Sequence, residues 1–394
     1  MATNMLVTEC LVIAALTYVV VSSFYNLYLH PLAKFPGPFW ARVSLLWRFW
    51  HTMGGRWHRV LEEQHRMYGP VLRISPNELA FSSVTSWQAI YGFPPAGQSH
   101  VIKSEFYEVF GAGFDVPCIG SERNPTEHAR KKKSLAAAFS TKALTAQEHI
   151  VQRCWDDFIS KIGPVSQRGP RGANVVSWFE MVTFDILGEM AFGESFGCVE
   201  NGGETTAHSL SSAVYYLLKT PAALDTLKSE VRSRFQSYEQ IDATAASQLP
   251  YLQAVIHEAL RIHPSGAQGF PRISPGVVID GNYIPAGTEV FTSAWAVIHD
   301  PANFHDPLAF KPERWLDPDC TDTKEASQPF SLGYRACLGR NFAWMEMNLC
   351  LAKLVFQYDW ELVDQSLDWE AASRFYIMWK KAPINVRFTE CSTK

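Results

Sequence analysis

The sequence predicts a mainly α protein with a minor β-sheet and an apolar N-terminal helix. Three observations support this fold class. Helical periodicity recurs in long segments between residues 57 and 360. Strand-like alternation is confined to Pro70–Ser83 and Phe270–Phe291, where turn residues such as Asp280-Gly281 interrupt it. Hydrophobic residues make up 47% of the 394 residues, which is enough for a large core and excludes a disordered chain.

Eight segments carry the helical pattern. They are Trp57–Tyr68, Glu127–Ser140, Ala143–Ile162, Val175–Phe192, Thr205–Lys219, Ala222–Phe235, Leu249–Ile262 and Asn341–Trp360. Ser140 is predicted to cap the helix that starts at Ala143, and Pro164 to break it. Residues 101–127 are interrupted by glycine and proline, which predicts a loop-rich stretch.

Residues 1–30 are predicted to form a membrane anchor. Met5–Tyr28 is almost entirely apolar and long enough to cross a bilayer. The first basic residue is Lys34, which places the bulk of the chain in the cytosol. A cleaved signal peptide is the alternative, but the segment lacks a basic start and a clear small-residue cleavage site. Residues 31–50 are predicted to form a Pro- and aromatic-rich hinge, and residues 51–394 one large domain.

Charge and cysteine content disfavour several kinds of protein. The formal charge of −4 gives no general electrostatic case for nucleic-acid binding. The eight cysteines are scattered and contain no CxxC pair. In a chain of this length, that pattern disfavours both a disulfide framework and a structural zinc site.

Cys337 lies in the segment FSLGYRACLGR, residues 330–340, just before a predicted helix. A thiolate stays charged where N–H donors and positive charge face it. Gly339 lets backbone N–H groups approach the sulfur, Phe330 shields it from water, and Arg335 adds a positive charge. This setting suits an anionic sulfur beneath a metal whose organic ring carries carboxylates.

Two other interpretations of Cys337 exist. Most single cysteines are inert, buried and hydrophobe-like. A nucleophilic cysteine would need a His base, and no short signature of that kind is present.

The combined spacing F-x-x-G-x-R-x-C-x-G is far more specific than any of its parts, and it resembles the haem-ligand loop of the cytochrome P-450 superfamily. The resemblance implies the P-450 fold, haem b as cofactor, Cys337 as the axial iron ligand and Arg335 as a propionate contact.

Two further segments resemble the family's structural brace. EALR (Glu258 to Arg261) taken alone is an ordinary exposed helical ion pair of small energetic value. KPERW follows about fifty residues later and supplies Arg314. In the family, such residues form a buried Glu–Arg–Arg cluster behind the haem loop, which implies a structural role for Glu258, Arg261 and Arg314.

NGGETT, residues 201–206, resembles the family's oxygen-activation motif. The resemblance implies that Glu204 and Thr205 relay protons above the iron. The alternative is a plain helix start, in which a Gly-rich stretch and an early acid precede a helix.

HARKK, residues 128–132, resembles the family's propionate-contacting helix, with His128 and Lys132 on one helix face. Family position makes Arg272 a further propionate candidate. The remaining basic residues of this helix form either a solvated face or a contact for an acidic redox partner.

The sequence looks most like those of filamentous-fungal members of the family that act in secondary metabolism. That implies a monooxygenase of the endoplasmic reticulum membrane, which uses dioxygen and electrons from NADPH-cytochrome P-450 reductase to hydroxylate, epoxidise or desaturate a lipophilic terpenoid or polyketide. The lid helices that normally precede the oxygen-activation motif are missing, so an internal deletion is predicted near residues 198–203. A catalytically impaired shortened isoform and a membrane-tethered remnant without activity are therefore the alternatives.

Overall fold

The computed structural model describes residues 2–111, 116–192 and 205–391. Within these residues the chain is mostly helical, with small sheets. The helices are α1 (Ala2–Phe24), α2 (Phe39–Val43), α3 (Leu46–Met53), α4 (Trp57–Tyr68), α5 (Val84–Tyr91), α6 (Pro125–Ala136), α7 (Thr141–Gln167), α8 (Val175–Phe192), α9 (Thr205–Lys219), α10 (Pro221–Arg234), α11 (Ala243–Ser247), α12 (Pro250–Ile262), α13 (Ala294–Ile298), α14 (Arg340–Gln357) and α15 (Trp369–Ala372). The strands are β1 (Val71–Ser75), β2 (Glu78–Phe81), β3 (Ile102–Lys103), β4 (Ala173–Asn174), β5 (Arg272–Ile273), β6 (Val277–Ile279), β7 (Asn282–Ile284), β8 (Glu289–Thr292), β9 (Tyr358–Leu362), β10 (Arg374–Phe375), β11 (Trp379–Lys380) and β12 (Asn385–Glu390).

The chain divides into two compact units. The first comprises residues 1–124 and 268–297, and the second comprises residues 125–267 and 298–394. The domain boundaries predicted at residues 30 and 50 fall inside the first unit and stay predictions, as does the deletion near residues 198–203, which lies outside the described residues.

The first unit is built on a five-stranded sheet in the order β1-β2-β8-β5-β3. β1 and β2 form an antiparallel hairpin, and β2 pairs in parallel with β8 from much later in the chain. A small core of Trp57, Leu61, Leu72, Ile74, Ala80 and Phe291 lies between α4 and this sheet. α1 continues into a π-helical turn at Tyr25–Leu29, and the stretch Asn4–Leu29 is long and apolar enough to cross a membrane, a test that a signal sequence also passes.

The second unit has one continuous apolar core. Its central helices are α7, α8, α9, α12 and α14, whose inward faces are almost completely buried. A three-stranded sheet in the order β4-β12-β9 closes one side. This packing fixes α14, and with it the segment that contains Cys337 at the helix N-terminus.

Most of the predicted elements are present. The bounds of α4, α8 and α9 are those predicted, and Pro70–Ser83 contains the expected hairpin. The Ser140 hydroxyl accepts a hydrogen bond from the Ala143 N–H at 3.2 Å, so the predicted cap is confirmed.

Three predicted helix ends are wrong. The helix predicted to reach Ser140 ends at Ala136, because Ser140 instead caps α7. α7 continues through Pro164 to Gln167, because a proline in the last turn removes only one hydrogen bond near an end that is already fraying. α14 ends at Gln357 rather than Trp360, because Tyr358–Leu362 pairs with β12 as a strand.

Candidate functional site

The segment before α14 forms a closed loop around Cys337. The Cys337 N–H donates to the Phe330 carbonyl oxygen at 2.9 Å, and a 3₁₀ turn at Gly333–Arg335 lies between them. Gly333 has a φ of 65°, which favours glycine, and Ser331 has a φ of 57°, which is uncommon for any residue with a side chain. Backbone strain of this kind concentrates at functional sites, where the surrounding structure enforces it.

The side chain of Cys337 is exposed. Desolvation by the surrounding loop raises the pKa of its thiol, while the Gly339 N–H and the charges of Lys132 and Arg340 act in the opposite direction. Cys350, which lies 13 residues later and inside α14, is completely buried, and burial raises its pKa well above the ordinary value. The two thiols therefore differ in kind: Cys350 is a core residue, whereas Cys337 is accessible to a ligand and lies among positive groups.

α6 contacts the Cys337 loop through two residues on one helix face. The Lys132 ammonium donates to the Tyr334 carbonyl at 2.8 Å and lies 3.4 Å from the Ala336 carbonyl. The His128 ring is buried and meets the Tyr334 ring edge-on, with centroids 6.4 Å apart. Both predicted propionate contacts thus lie beside the loop, and sequence reasoning missed that Lys132 also ties the loop to α6.

The other two predicted propionate contacts lie in different units. Arg335 is half-buried in the second unit, and its guanidinium lies over the Tyr334 ring at 5.3 Å. Arg272 is buried in the first unit, where it donates to the Tyr107 hydroxyl and to the Pro271 carbonyl, the latter at 3.0 Å.

The structure brings Glu258, Arg261 and Arg314 together in a cluster with almost no exposure. Arg261 donates to both Glu258 carboxylate oxygens, at 2.8 and 2.9 Å. Arg314 Nε donates to Oε1 at 3.1 Å, the Lys311 N–H to Oε1 at 3.0 Å, and the Trp315 indole to Oε2 at 2.9 Å. The pair Glu258–Arg261 is completely buried, so the interpretation from the residues alone, an exposed helical pair, is wrong.

The two arginines extend this cluster to the chain around residues 298–322. Arg261 Nη1 donates to the carbonyls of Pro307 and Ile298, at 2.8 and 3.2 Å. Arg314 donates to the His305 carbonyl at 3.1 Å and forms an ion pair with Asp322. Each buried guanidinium thus has several acceptors, as a desolvated charge requires.

An aromatic row connects the cluster with the Cys337 loop. The Trp315 ring stacks on His257 at 4.9 Å, and His257 contacts Trp344 of α14 at 4.8 Å. The ring centroids of Trp344 and Phe330, the first residue of the loop, lie 6.5 Å apart. Sequence reasoning missed this row, although the tryptophan next to Arg314 in KPERW was a visible signal.

Of the two predicted proton-relay residues, Thr205 is in the part of the chain that the structure describes. Glu204 lies outside the described residues. Thr205 is the first residue of α9 and is exposed. Its neighbour Thr206 hydrogen-bonds with the Glu346 carboxyl of α14, which joins the two segments.

Glu346 is a further candidate residue that sequence reasoning missed. Its side chain is almost fully buried, and burial raises its pKa to about 8. Oε1 of this carboxyl has no hydrogen-bond partner among the described residues. A buried carboxyl with an open acceptor, next to a predicted proton-relay segment, is the kind of group that holds or passes a proton.

The residues around Cys337 fit an iron porphyrin. An accessible sulfur at a helix N-terminus, with cations beside it, is a suitable axial donor. Nothing lies within 4 Å of the position that a Cβ of Gly339 would occupy, so there is open space beside Gly339, two residues after the cysteine. His128, Lys132 and Arg335 supply donors for carboxylates around the loop.

Comparisons with known proteins find matches in one family. The family model "Cytochrome P450" matches residues 201–388. The cytochrome P450 monooxygenase ORF9 of Penicillium roqueforti is 45% identical over 471 aligned residues, which cover 95% of this chain and 92% of that protein. The cytochrome P450 monooxygenase BOT4 of Botryotinia fuckeliana is 39% identical, with coverages of 97% and 91%. BOA3 of the same species is 34% identical, with coverages of 96% and 95%.

Removal of the Glu258 carboxylate is expected to destabilise the protein strongly. Glu258→Ala leaves the guanidiniums of Arg261 and Arg314 buried without their shared partner, which should lower the free energy of unfolding by about 3–5 kcal/mol. Thermal and urea unfolding of the full chain in detergent measure this loss. The matched control is Glu325→Ala, an exposed acid of the same unit, which should change stability by about 0.5 kcal/mol or less. Equal losses in the two variants would contradict the buried-brace account.

Glu346 is expected to make stability depend on pH. Its folded-state pKa of about 8 lies above the ordinary value of 4.5, so the folded chain holds this proton more tightly than the unfolded chain. Its stabilising contribution is complete below pH 4.5 and is lost as the pH rises through about 8. Glu346→Gln should match the wild type near pH 5 and exceed its unfolding temperature at pH 8 and above.

The pH profile of thermal unfolding checks this prediction, with the exposed Glu361→Gln as control. Wild type and control should show parallel profiles, and Glu346→Gln a flatter one. A Glu346→Gln profile parallel to the wild type would show that this carboxyl does not titrate as described.

Proposed function

Because this chain belongs to the cytochrome P450 family, we propose that it is a membrane-anchored monooxygenase that oxidises a lipophilic secondary metabolite. It is an enzyme of the P450 monooxygenase kind, which uses haem b, dioxygen, a redox partner and a lipophilic substrate. The observation that carries the proposal is the accessible sulfur of Cys337, in a strained loop at the N-terminus of a buried helix.

When bound, haem b supplies the iron at which dioxygen is reduced and one oxygen atom is delivered to the substrate. The task of the chain is to present Cys337 as a thiolate and to keep it charged. The Gly339 N–H and the cations of Lys132 and Arg340 stabilise the anionic form against desolvation. Phe330, at the start of the loop, is proposed to shield the sulfur from water once haem is bound.

Four basic side chains are proposed to hold the carboxylates of the porphyrin. His128, Lys132 and Arg335 belong to the second unit and adjoin the loop. Arg272 belongs to the first unit, where the rings of Tyr91 and Tyr107 flank its guanidinium, each 5.1 Å away. Contacts of this kind orient the ring and neutralise its charge.

Glu204 and Thr205 are proposed to move protons to dioxygen on the distal side. The Thr205 hydroxyl can accept a proton and pass it on, and a neighbouring carboxylate replenishes it. The Glu346 carboxyl is hydrogen-bonded with Thr206, the residue after Thr205. It is proposed as a second group that holds a proton for Glu204 and Thr205.

Electrons are proposed to come from NADPH through NADPH-cytochrome P-450 reductase. Arg130, Lys131 and Lys133 form a basic face on α6, on the helix that contacts the Cys337 loop. Such a face suits an acidic protein partner, because complementary charge steers the encounter. We place the chain in the endoplasmic reticulum membrane, with Asn4–Leu29 as its single span and the catalytic part in the cytosol.

The substrate is proposed to be a terpenoid, polyketide or related natural product, which is hydroxylated, epoxidised or desaturated. The relatives are fungal cytochrome P450 monooxygenases, and natural products of this class are the substrates expected for such enzymes in secondary metabolism. No nucleic acid is expected as a partner, because the chain carries a net negative charge.

A catalytically impaired, shortened isoform is the second candidate, and the aligned lengths favour it. The alignment with the Penicillium roqueforti relative extends over 471 residues and covers 95% of the 394 residues here, or about 374, which leaves about 97 positions without a counterpart in this chain. This excess supports an internal deletion, which we propose to lie near residues 198–203 and to remove the lid. A site without its lid admits water, which favours uncoupled chemistry. A membrane-tethered remnant without haem is the remaining alternative.

Cys337→Ala is expected to abolish the red-shifted carbon monoxide band of the reduced protein, because that band requires a thiolate ligand. The difference spectrum of the purified full-length chain measures it. Cys118→Ala replaces another exposed cysteine and should retain the band. A band that survives in Cys337→Ala would overturn the assignment, and a wild-type chain without haem would favour the remnant.

Thr205→Ala is expected to raise hydrogen peroxide release severalfold per NADPH consumed, because protons then reach dioxygen in a less controlled way. Reductase, NADPH and a panel of terpenoids and polyketides supply the assay. Thr145→Ala, an exposed threonine on α7, is the control and should behave like the wild type. Unchanged coupling in Thr205→Ala would contradict the relay role. Haem-loaded wild type that consumes NADPH without any product would favour the impaired isoform.

A further inference from the structure

A stack of four buried rings lies beside the first turns of α9. His208 belongs to α9, His263 directly follows α12, and Trp369 and Trp379 come from α15 and β11. Each of these four residues is at most 5% exposed. We call them the α9 ring stack. Distant parts of the second unit therefore meet at one side chain of α9, three residues after Thr205.

The two imidazoles of the stack pack against both indoles. The His208 ring is nearly parallel to the Trp379 ring, with an interplanar angle of 7° and centroids 5.7 Å apart, and its centroid lies 5.8 Å from that of Trp369. The His263 ring is closer, at 4.1 Å from Trp379 and 4.8 Å from Trp369. Aromatic pairs at such separations are stabilising beyond the apolar area that they bury.

Hydrogen bonds also join the two histidines. His263 Nδ1 lies 3.1 Å from His208 Nε2, and the same Nε2 lies 3.0 Å from the His263 carbonyl oxygen. Two ring nitrogens at this distance share one proton, so one imidazole donates and the other accepts. Because the pair is shielded from water, removal of the His208 nitrogens would leave buried polar atoms of His263 without this partner. The hydrogen bonds therefore fix the orientation of both rings.

The indoles are themselves held by hydrogen bonds. Trp379 Nε1 donates to the Pro264 carbonyl at 2.9 Å, and Trp369 Nε1 donates to the Ala382 carbonyl at 2.9 Å. The Trp369 backbone N–H donates to the hydroxyl of Tyr215, further along α9, at 3.2 Å. Since the partners of His208 are fixed in this way, α9 is held against a rigid support.

The first turn of α9 depends on such support. α9 begins at Thr205, and the first N–H groups of a helix have no partner inside the helix, so helix ends fray. Thr205 is exposed, so burial of its own side chain does not hold this turn in place. A hydrogen bond between Thr206 and Glu346 connects the turn with α14. His208, one helical turn after Thr205, connects it with the end of α12 and gives it a second attachment point.

We propose that His208 is a positioning residue for the proton relay. Through His263 and the two indoles, it holds the first turn of α9, and with it the Thr205 hydroxyl, in one place. A displacement of about 1 Å at a reacting group is enough to cost a large part of its rate. The inference rests on the proposed role of Thr205 and deepens it, because His208 controls where the hydroxyl lies without itself transferring a proton.

His208→Phe tests the proposal, because phenylalanine keeps a ring for stacking and removes both ring nitrogens. The full-length, haem-loaded chain in detergent is used for two measurements. Amide hydrogen exchange, followed by mass spectrometry, should become about tenfold faster in residues 205–212 and stay unchanged in residues 341–357 of α14. Hydrogen peroxide release per NADPH consumed, measured with reductase, should rise severalfold, as expected for Thr205→Ala.

Tyr358→Phe is the matched control for a loss of stability. It also keeps a buried ring and removes a hydrogen bond to a backbone carbonyl, that of Ile159 on α7 at 2.8 Å. Both variants should lower the unfolding temperature by a few degrees, but Tyr358→Phe should keep the wild-type exchange in residues 205–212 and the wild-type peroxide release. His208→Gln keeps an amide N–H for the His263 carbonyl and should recover about half of the lost coupling.

Several results would overturn the proposal. Unchanged exchange in residues 205–212 of His208→Phe would show that His208 does not hold this turn. Faster exchange with wild-type peroxide release, while Thr205→Ala raises the release, would reduce the α9 ring stack to a packing role. The same changes in Tyr358→Phe would make both effects a consequence of lower stability. Unchanged release in Thr205→Ala would instead overturn the relay itself, and the exchange rates would still show whether His208 holds α9.

Discussion

The second unit depends on one buried carboxylate. Glu258 accepts hydrogen bonds from two arginines, an indole and a backbone N–H, and it is completely shielded from water. A charge without water is tolerated only where such partners surround it, so the cluster must assemble as a whole. Ring–ring contacts connect Trp315 through His257 and Trp344 to Phe330, where the Cys337 loop begins. The cluster around Glu258 thus holds the start of the Cys337 loop in place.

The loop in turn provides the chemistry that the family requires. Its closing hydrogen bond and its left-handed residues hold Cys337 at the N-terminus of α14, and Lys132 ties it to α6. Positive charge and the Gly339 N–H act against the desolvation that raises the pKa of the Cys337 thiol, and they offset part of its effect. The proposed haem binding depends on this arrangement. The family is established, whereas the choice of substrate depends on residues outside the loop.

The sequence alone predicted the elements whose stability is local. α8 and α9 show clear periodicity, and the hairpin β1–β2 contains its own turn signal. The features that the sequence did not predict depend on tertiary contacts. Nothing in EALR reveals that the ion pair is buried, because its burial comes from residues about fifty positions later. Glu346 reads as one polar residue on an apolar helix, and its raised pKa arises only when α9 and α14 pack together. The exposed apolar side chains of α3 were likewise not predicted, because periodicity indicates that a helix has an apolar face but not whether that face points to the core or to the outside.

The central claim is that the Cys337 sulfur is bound to haem iron. X-ray absorption at the iron edge of the purified full-length chain tests it most directly, because the scattering pattern distinguishes sulfur from nitrogen and oxygen neighbours. The account predicts one sulfur neighbour beside the porphyrin nitrogens in the wild type and its loss in Cys337→Ser. An iron whose neighbours are only nitrogen and oxygen in the wild type would contradict it.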